Sequence, residues 1–167
     1  MKPPSISLEK IAELGPACLK MAIPESYRDV NGHMNMRWYL AIFDEAGDAL
    51  HERIGLTREY HRQHGSGTFD LEHHLNFLHE VNPGDKIAVY MRLVARSAKL
   101  LHYLMFMINE TRGRVASIFE CMNAFADLGT RKIAPFPPEI AKRIDVIIDE
   151  HRKLDWPAPV SGAMRAE

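Results

Sequence analysis

The stretch "YRDVNGHMNMRWYLAIFDEAGDAL", residues 27–50, decides how this chain is read. Its second half has helical spacing. Tyr39, Ile42, Phe43, Ala46, Ala49 and Leu50, continued by Ile54, recur at i, i+3, i+4 and i+7, while Asp44, Asp48, Glu52 and Arg53 take another face. Asn35 is suited to cap this helix and Gly55 to end it. Gly47 costs about 1 kcal/mol of helix propensity, so close packing against a sheet is expected there. The first half is different: an acid, two amides and a Gly-His pair stand immediately in front of a buried helix.

Asp29-x-Asn31-Gly32 is by itself a turn motif, with the aspartate bonding its own backbone. The helix that follows adds a chemical reading. A helix N-terminus carries roughly half a positive charge and unsatisfied N–H groups, so the amides near Asn35 and Met36 can stabilise a developing oxyanion. Gly32 lets a ligand approach the backbone, and Asp29 supplies a carboxylate that attacks or activates water. His33 is a general base, a substrate contact or a turn-shaping residue on this reading. Tyr39 reads as a core residue whose hydroxyl finds one partner.

Upstream, "SLEKIAEL" predicts a short helix capped by Ser7, and "ACLKMAIPESYR" an extended segment with Pro24 on an edge or at a bulge. Downstream, "HRQHGSG" reads as a polar loop that leaves His61 and His64 in solvent. "TFDLEHHLNFLHEV" and "KIAVYMRLVAR" alternate as strands around the turn "NPGD", the second with Tyr90, Arg92 and Arg96 on its polar parity. "KLLHYLMFMINE" predicts a strand buried on both faces. "VASIFECMNAFADLGTRKIA" predicts a last long strand, and "PFPPEIAKRIDVIIDEHRK" an amphipathic helix entered through proline. The order is an α+β fold with a meander packed around one long helix. Residues 1–155 are expected to form one domain and 156–167 a flexible tail.

Bulk properties exclude several classes. The 167 residues suit one domain. With 21 Lys+Arg against 22 Asp+Glu, there is no electrostatic case for nucleic acid or an anionic membrane as partner. Cys18 and Cys121 are too few for a disulfide framework and are expected to be reduced thiols of the core. No apolar run has membrane length, and "MKPPSISLEK" has no signal-peptide core, so a cytoplasmic protein is expected. His73 and His74 point to opposite faces of a strand and do not jointly ligate an ion, so no metal is expected. G-x-S-x-G, G-x-G-x-x-G and P-loop motifs are absent from the sequence.

Asp29-x-x-Gly32-His33-x-Asn35, with Tyr39 beyond, resembles the motif D-x-x-G-H-x-N-N-x-x-Y of hotdog-fold acyl-CoA thioesterases of the 4-hydroxybenzoyl-CoA thioesterase type. The likeness covers roughly residues 17–145 and includes "HHLNFLHEVNPGDKIAVYMRLV". It implies a sheet of about five strands around a long central helix, and a homodimer or homotetramer with sites between subunits. It implies no cofactor beyond the CoA thioester substrate. It makes Asp29 the catalytic carboxylate and places Asn31, Gly32, His33, Asn35, Met36 and Tyr39 around the substrate. The second asparagine of the motif is Met36 here, which keeps a backbone donor and loses a side-chain contact. "FDLEHHLNFLHEV" and "APFPPEI" are most similar to a subgroup encoded with, or fused to, carnitine dehydrogenases, which implies betainyl-CoA as substrate. Trp38, Phe69, Glu72, His73 and Phe77 are candidate acyl-pocket residues for such a cation, though each also fits packing or surface. Two alternatives share the fold: a hydratase or dehydratase, whose histidine falls five residues after the aspartate rather than four, and a dimer that binds acyl-CoA without turnover.

Overall fold

A computed structural model describes residues 6–166. Residues 1–5, part of the stretch expected to lack a leader, and Glu167 at the end of the expected tail lie outside it. Helix α1 (Leu8–Ala12) is capped by the Ser7 hydroxyl, which accepts from the Lys10 N–H. Strand β1 (Leu19–Ala22) follows, and Glu25–Tyr27 then form a 3-10 turn where the sequence predicts extended chain. Pro24 explains the difference, since it removes a ladder donor just past the strand.

Helix α2 (Met36–Ile54) starts at Asn35, whose side-chain oxygen accepts from the Arg37 N–H at 3.1 Å. It ends at Gly55 with φ +90°, where Gly55 donates to the Glu52 carbonyl and Leu56 to that of His51. That pair of bonds closes the last turn around a left-handed glycine. The predicted stripe is buried except at Ala49, which is half-buried: Tyr39, Ile42, Phe43, Ala46, Leu50 and Ile54 are all at most 4% exposed. Residues 61–64, the first half of the expected loop "HRQHGSG", belong instead to helix α3 (Arg58–His64), capped by Thr57 and stopped by Gly65. None of its residues is buried, so no apolar stripe announces it. His61 is half-buried and bonds Ser66 at 3.0 Å.

The strands β2 (Ser66–Phe77), β3 (Lys86–Arg96), β4 (Leu100–Asn109) and β5 (Arg114–Asp127) join β1 in one sheet of order β1-β3-β4-β5-β2. The predicted last strand breaks at the turn after Asp127, and its end returns as β6 (Lys132–Ile133), antiparallel to β5. Helix α4 (Pro138–Arg152) follows, with proline in its first turn. Strand β4 is buried almost throughout, as its unbroken apolar run requires. Strand β2 ends the sheet order and exposes Phe69, Leu71 and Phe77.

The chain divides into two compact units. One comprises Met1–Ala49, Leu75–Met91 and Met105–Phe119. Its core includes Phe43 stacked on Phe119 at 5.0 Å, and Gly47, where an added Cβ would meet Met105 at 3.8 Å. Asp85, buried in the "NPGD" turn, accepts from the Asn82 N–H and from the side chains of Asn109 and Arg112, which hold its carboxyl below the usual range against the opposing effect of burial.

The other unit comprises Leu50–His74, Arg92–Leu104 and Glu120–Glu167. Here Arg92 departs from its expected polar parity and is 7% exposed. Its guanidinium donates to the carbonyls of Trp156 and His151 at 2.9 and 3.3 Å and lies 4.1 Å over the Trp156 ring. The segment from residue 156, expected to be flexible, contributes buried Trp156 and Met164, and the Ser161 N–H donates to buried Glu120.

His151 is buried with Nδ1 accepting from the Leu93 N–H at 2.9 Å. Burial, reinforced by Arg53 and Arg92, pushes it down to about 4. The unfolded chain takes up this proton below its ordinary value of about 6.5 and the folded chain does not until about 4. Its contribution to stability is therefore whole above about 6.5 and is lost as pH falls toward 4, by at most about 3 kcal/mol. Urea unfolding at pH 7.5 and pH 5 should show this loss, and His151→Gln should flatten it. An equally steep loss in that variant would assign the effect elsewhere.

Candidate active site

The turn before α2 is built from its own backbone. Asp29 N–H donates to the His33 carbonyl at 2.9 Å, and Gly32 N–H donates to the Asp29 carbonyl at 3.1 Å. Arg28 and Met34 form a bridge across its base. Gly32 adopts φ +88°, which a side chain disfavours, and its carbonyl accepts from the Arg28 guanidinium at 2.7 Å. Two bonds anchor the turn: Met34 N–H to the Val81 carbonyl at 2.7 Å and Asn35 N–H to the Tyr27 carbonyl at 2.9 Å.

The Asp29 carboxylate has two distinct oxygens. Oδ1 accepts from the Asn31 N–H at 2.8 Å, the bond expected of a turn aspartate. Oδ2 lies 3.7 Å from His33 Nδ1. The turn reading and the chemical reading thus use different atoms: Oδ1 fixes the loop and Oδ2 is available to a ligand. The side chain is 13% exposed, enough to be reached and little enough to be held.

At the helix start the amides also sort themselves. Arg37 N–H is taken by the Asn35 side chain and Trp38 N–H by the Asn35 carbonyl. The Met36 N–H has no acceptor among the described residues. A first-turn amide without an intrahelical partner, at the positive end of a helix of 19 residues, is a donor for an anion.

Asp29 and Met36 line one cavity of about 470 Å³, together with His33, Met34, Asn35 and Tyr39, and with Phe77, Leu78, His79 and Glu80 opposite in sequence. Tyr39 meets Phe77 edge-on at 5.1 Å. Its hydroxyl is hydrogen-bonded to the Val81 backbone, and burial raises its ionisation above the ordinary tyrosine value. The lining holds two carboxylates, Asp29 and Glu80, and no lysine or arginine.

Of the residues singled out from sequence, Asp29, His33, Asn35, Met36, Tyr39 and Phe77 meet at this cavity. Asn31 and Gly32 shape the turn through their backbones and are not among the lining residues. Trp38 stacks flat on Tyr27, with centroids 3.9 Å apart, and does not line it. Phe69, Glu72 and His73 sit exposed on β2, outside the lining. Sequence reasoning missed His79 and Glu80. The alternation of β2 runs on to Val81 in the sequence, yet the strand stops at Phe77. The segment beyond it leaves the strand: the Leu78 and His79 N–H groups both donate to the Ala116 carbonyl.

The fold and the site together define a hotdog thioesterase. The family model described as "Thioesterase-like superfamily" matches residues 25–144, and the chain belongs to that superfamily and is a thioester hydrolase. The betainyl-CoA thioesterase of Pseudomonas aeruginosa is 35% identical over 138 residues, covering 83% of this chain and 86% of that protein. The L-carnitine dehydrogenase/betainyl-CoA thioesterase of Rhizobium meliloti is 30% identical over 129 residues, 77% of this chain and 26% of that longer protein. A Staphylococcus aureus protein solved in complex with CoA superposes with a TM-score of 0.80 at 23% identity, covering 88% of this chain and 92% of its own, and shares the fold. Among the described residues no helix is long and apolar enough to cross a membrane.

Proposed function

We propose that the chain hydrolyses a small cationic acyl-CoA, betainyl-CoA in the first place, at the cavity shared by Asp29 and Met36. The observation that carries this is the pairing of a carboxylate oxygen with an uncommitted helix-start amide on the wall of one cavity. The thioester carbonyl accepts from the Met36 N–H, which stabilises the negative charge that develops as the carbonyl carbon becomes tetrahedral. Asp29 Oδ2 either attacks that carbon or takes a proton from the water that does. Collapse breaks the C–S bond, and the departing CoA sulfur leaves as thiolate or takes up the proton. Water supplies the new oxygen of the acid, and no cofactor is required.

The acyl group follows from the walls. Two acidic residues, with no lysine or arginine among the lining residues, favour a positive charge, and Tyr39 and Phe77 add aromatic surface suited to a trimethylammonium head. The relation to betainyl-CoA thioesterases agrees with this chemistry. The test compares betainyl-CoA with 3,3-dimethylbutanoyl-CoA, which has carbon in place of nitrogen and nearly the same shape. The cationic substrate should have a kcat/KM at least about 10-fold higher, the scale of a cation held by rings and a nearby carboxylate. Equal values would show that the pocket reads shape alone and would remove the cationic assignment, leaving the thioesterase reading in place.

A further inference from the structure

Strands β2 and β5 together carry a second cluster of chemically active side chains, none of which lines the Asp29 cavity. Asp70, His73 and Cys121 each bring one donor atom to within 4.8 Å of the others. We propose that these three residues form a binding site for one divalent cation of borderline softness, with Zn²⁺ as the type.

The donor set suits such an ion. Carboxylate, imidazole and thiolate are the three protein ligand types that zinc accepts, and water completes four-coordination. Bonds of about 2.0–2.3 Å in a tetrahedron separate the donors by roughly 3.3–3.8 Å. Asp70 Oδ2 and His73 Nε2 now share a hydrogen bond at 2.9 Å, so a small opening admits the ion between them. With aspartate and cysteine ionised and histidine neutral, a divalent ion makes the cluster electrically neutral, as a partly buried site requires.

Two further residues hold the ligands in place. Asn123, two residues beyond Cys121 and so on the same face of β5, donates to Asp70 Oδ1. Tyr103, on β4, hydrogen-bonds the Cys121 sulfur. Partners of this kind fix the orientation of metal ligands. Access is also provided: Cys121 is fully buried, while the side chains of Asp70 and His73 are about one-third exposed. Without an ion, burial pushes the Cys121 thiol far up, so it is no nucleophile at neutral pH. On binding, its S–H bond breaks, the proton passes to solvent and the sulfur–metal bond forms, so affinity rises with pH. The ion ties edge strand β2 to β5 and takes no part in thioester cleavage.

The test titrates the metal-free, reduced full-length protein with Co²⁺, whose thiolate charge-transfer and ligand-field absorption report the ligands directly and independently of turnover. The expected result is one equivalent bound, a charge-transfer band that Zn²⁺ abolishes, and loss of that band in Cys121→Ser but not in Cys18→Ser. His73→Ala and Asp70→Asn, at partly exposed positions, keep the test valid should Cys121→Ser fail to fold; each should weaken Co²⁺ at least about 10-fold. Zn²⁺ at a hundredfold excess over its Kd should raise the thermal midpoint by about 5–10 °C. Absence of the charge-transfer band in the wild type, or wild-type Co²⁺ affinity in both His73→Ala and Asp70→Asn, would overturn the site.

Discussion

Asp29→Asn is expected to keep the fold and lower kcat for betainyl-CoA at least about 100-fold, the scale of lost acid–base or nucleophilic catalysis. The amide is nearly isosteric with the carboxylate, and its oxygen can still accept from the Asn31 N–H, so the turn survives. What is lost is the second oxygen, the one that lies 3.7 Å from His33 and is free for chemistry. An amide there neither attacks a thioester nor takes a proton from water. KM should rise modestly, because one of the two acidic residues that favour the cation is lost while Glu80, Met36 and the aromatic wall remain. The check is free-thiol release alongside circular dichroism and the thermal midpoint. A folded variant with near wild-type kcat would remove Asp29 from the reaction.

Gly32 should come second in effect. Its φ of +88° is a conformation in which a β-carbon costs about 1–2 kcal/mol. Space is not the obstacle: an added Cβ would meet nothing nearer than Arg28 Nη1 at 3.9 Å. The strain would instead be relieved by turning the two peptides that flank Gly32, one carrying the carbonyl that accepts from Arg28 and the other the N–H that closes the Asp29 loop. Asp29 and the start of α2 would then shift relative to one another. A misplacement of about 1 Å can cost on the order of 100-fold in rate. Gly32→Val should show that loss, with stability falling by only about 1–2 kcal/mol, and Gly32→Ala should follow it closely because the penalty is set by φ. Thermal midpoint and kcat/KM measured on both variants separate the two effects. Wild-type turnover in Gly32→Ala would mean that this turn does not position the reacting groups.

The parts of the molecule legible in the sequence are those whose cause is local. Helix α2 announces itself by a repeating apolar stripe with Asn35 at one end and Gly55 at the other, and the turn before it by Asp29, Asn31 and Gly32. Helix α3 was illegible because "REYHRQH" is polar on every side; only Thr57 and Gly65 at its ends marked it. Arg92 sits where alternation assigns a polar face, and the carbonyls and ring that receive it belong to residues near the C-terminus. No local pattern connects them. The cavity was legible on its α2 side for the same reason that the helix was. Its other wall was not: Phe77 was singled out as an aromatic residue, while His79 and Glu80 were hidden in an apparent continuation of β2. The Asp70–His73 pair shows the limit of periodicity in another way. Residues three apart on a regular strand face opposite sides, so alternation gives no hint of their hydrogen bond.

The central claim is that the thioester carbonyl sits on the Met36 amide beside Asp29. The most direct measurement is the amide nitrogen–proton NMR spectrum of ¹⁵N-labelled protein with an inert betainyl-CoA analogue in which a methylene replaces the sulfur and the carbonyl is kept. The Met36 amide proton should move strongly downfield on saturation, as a newly hydrogen-bonded donor does, with smaller changes at Gly32 and His33. A saturated complex in which the Met36 resonance stays where it was would contradict the account.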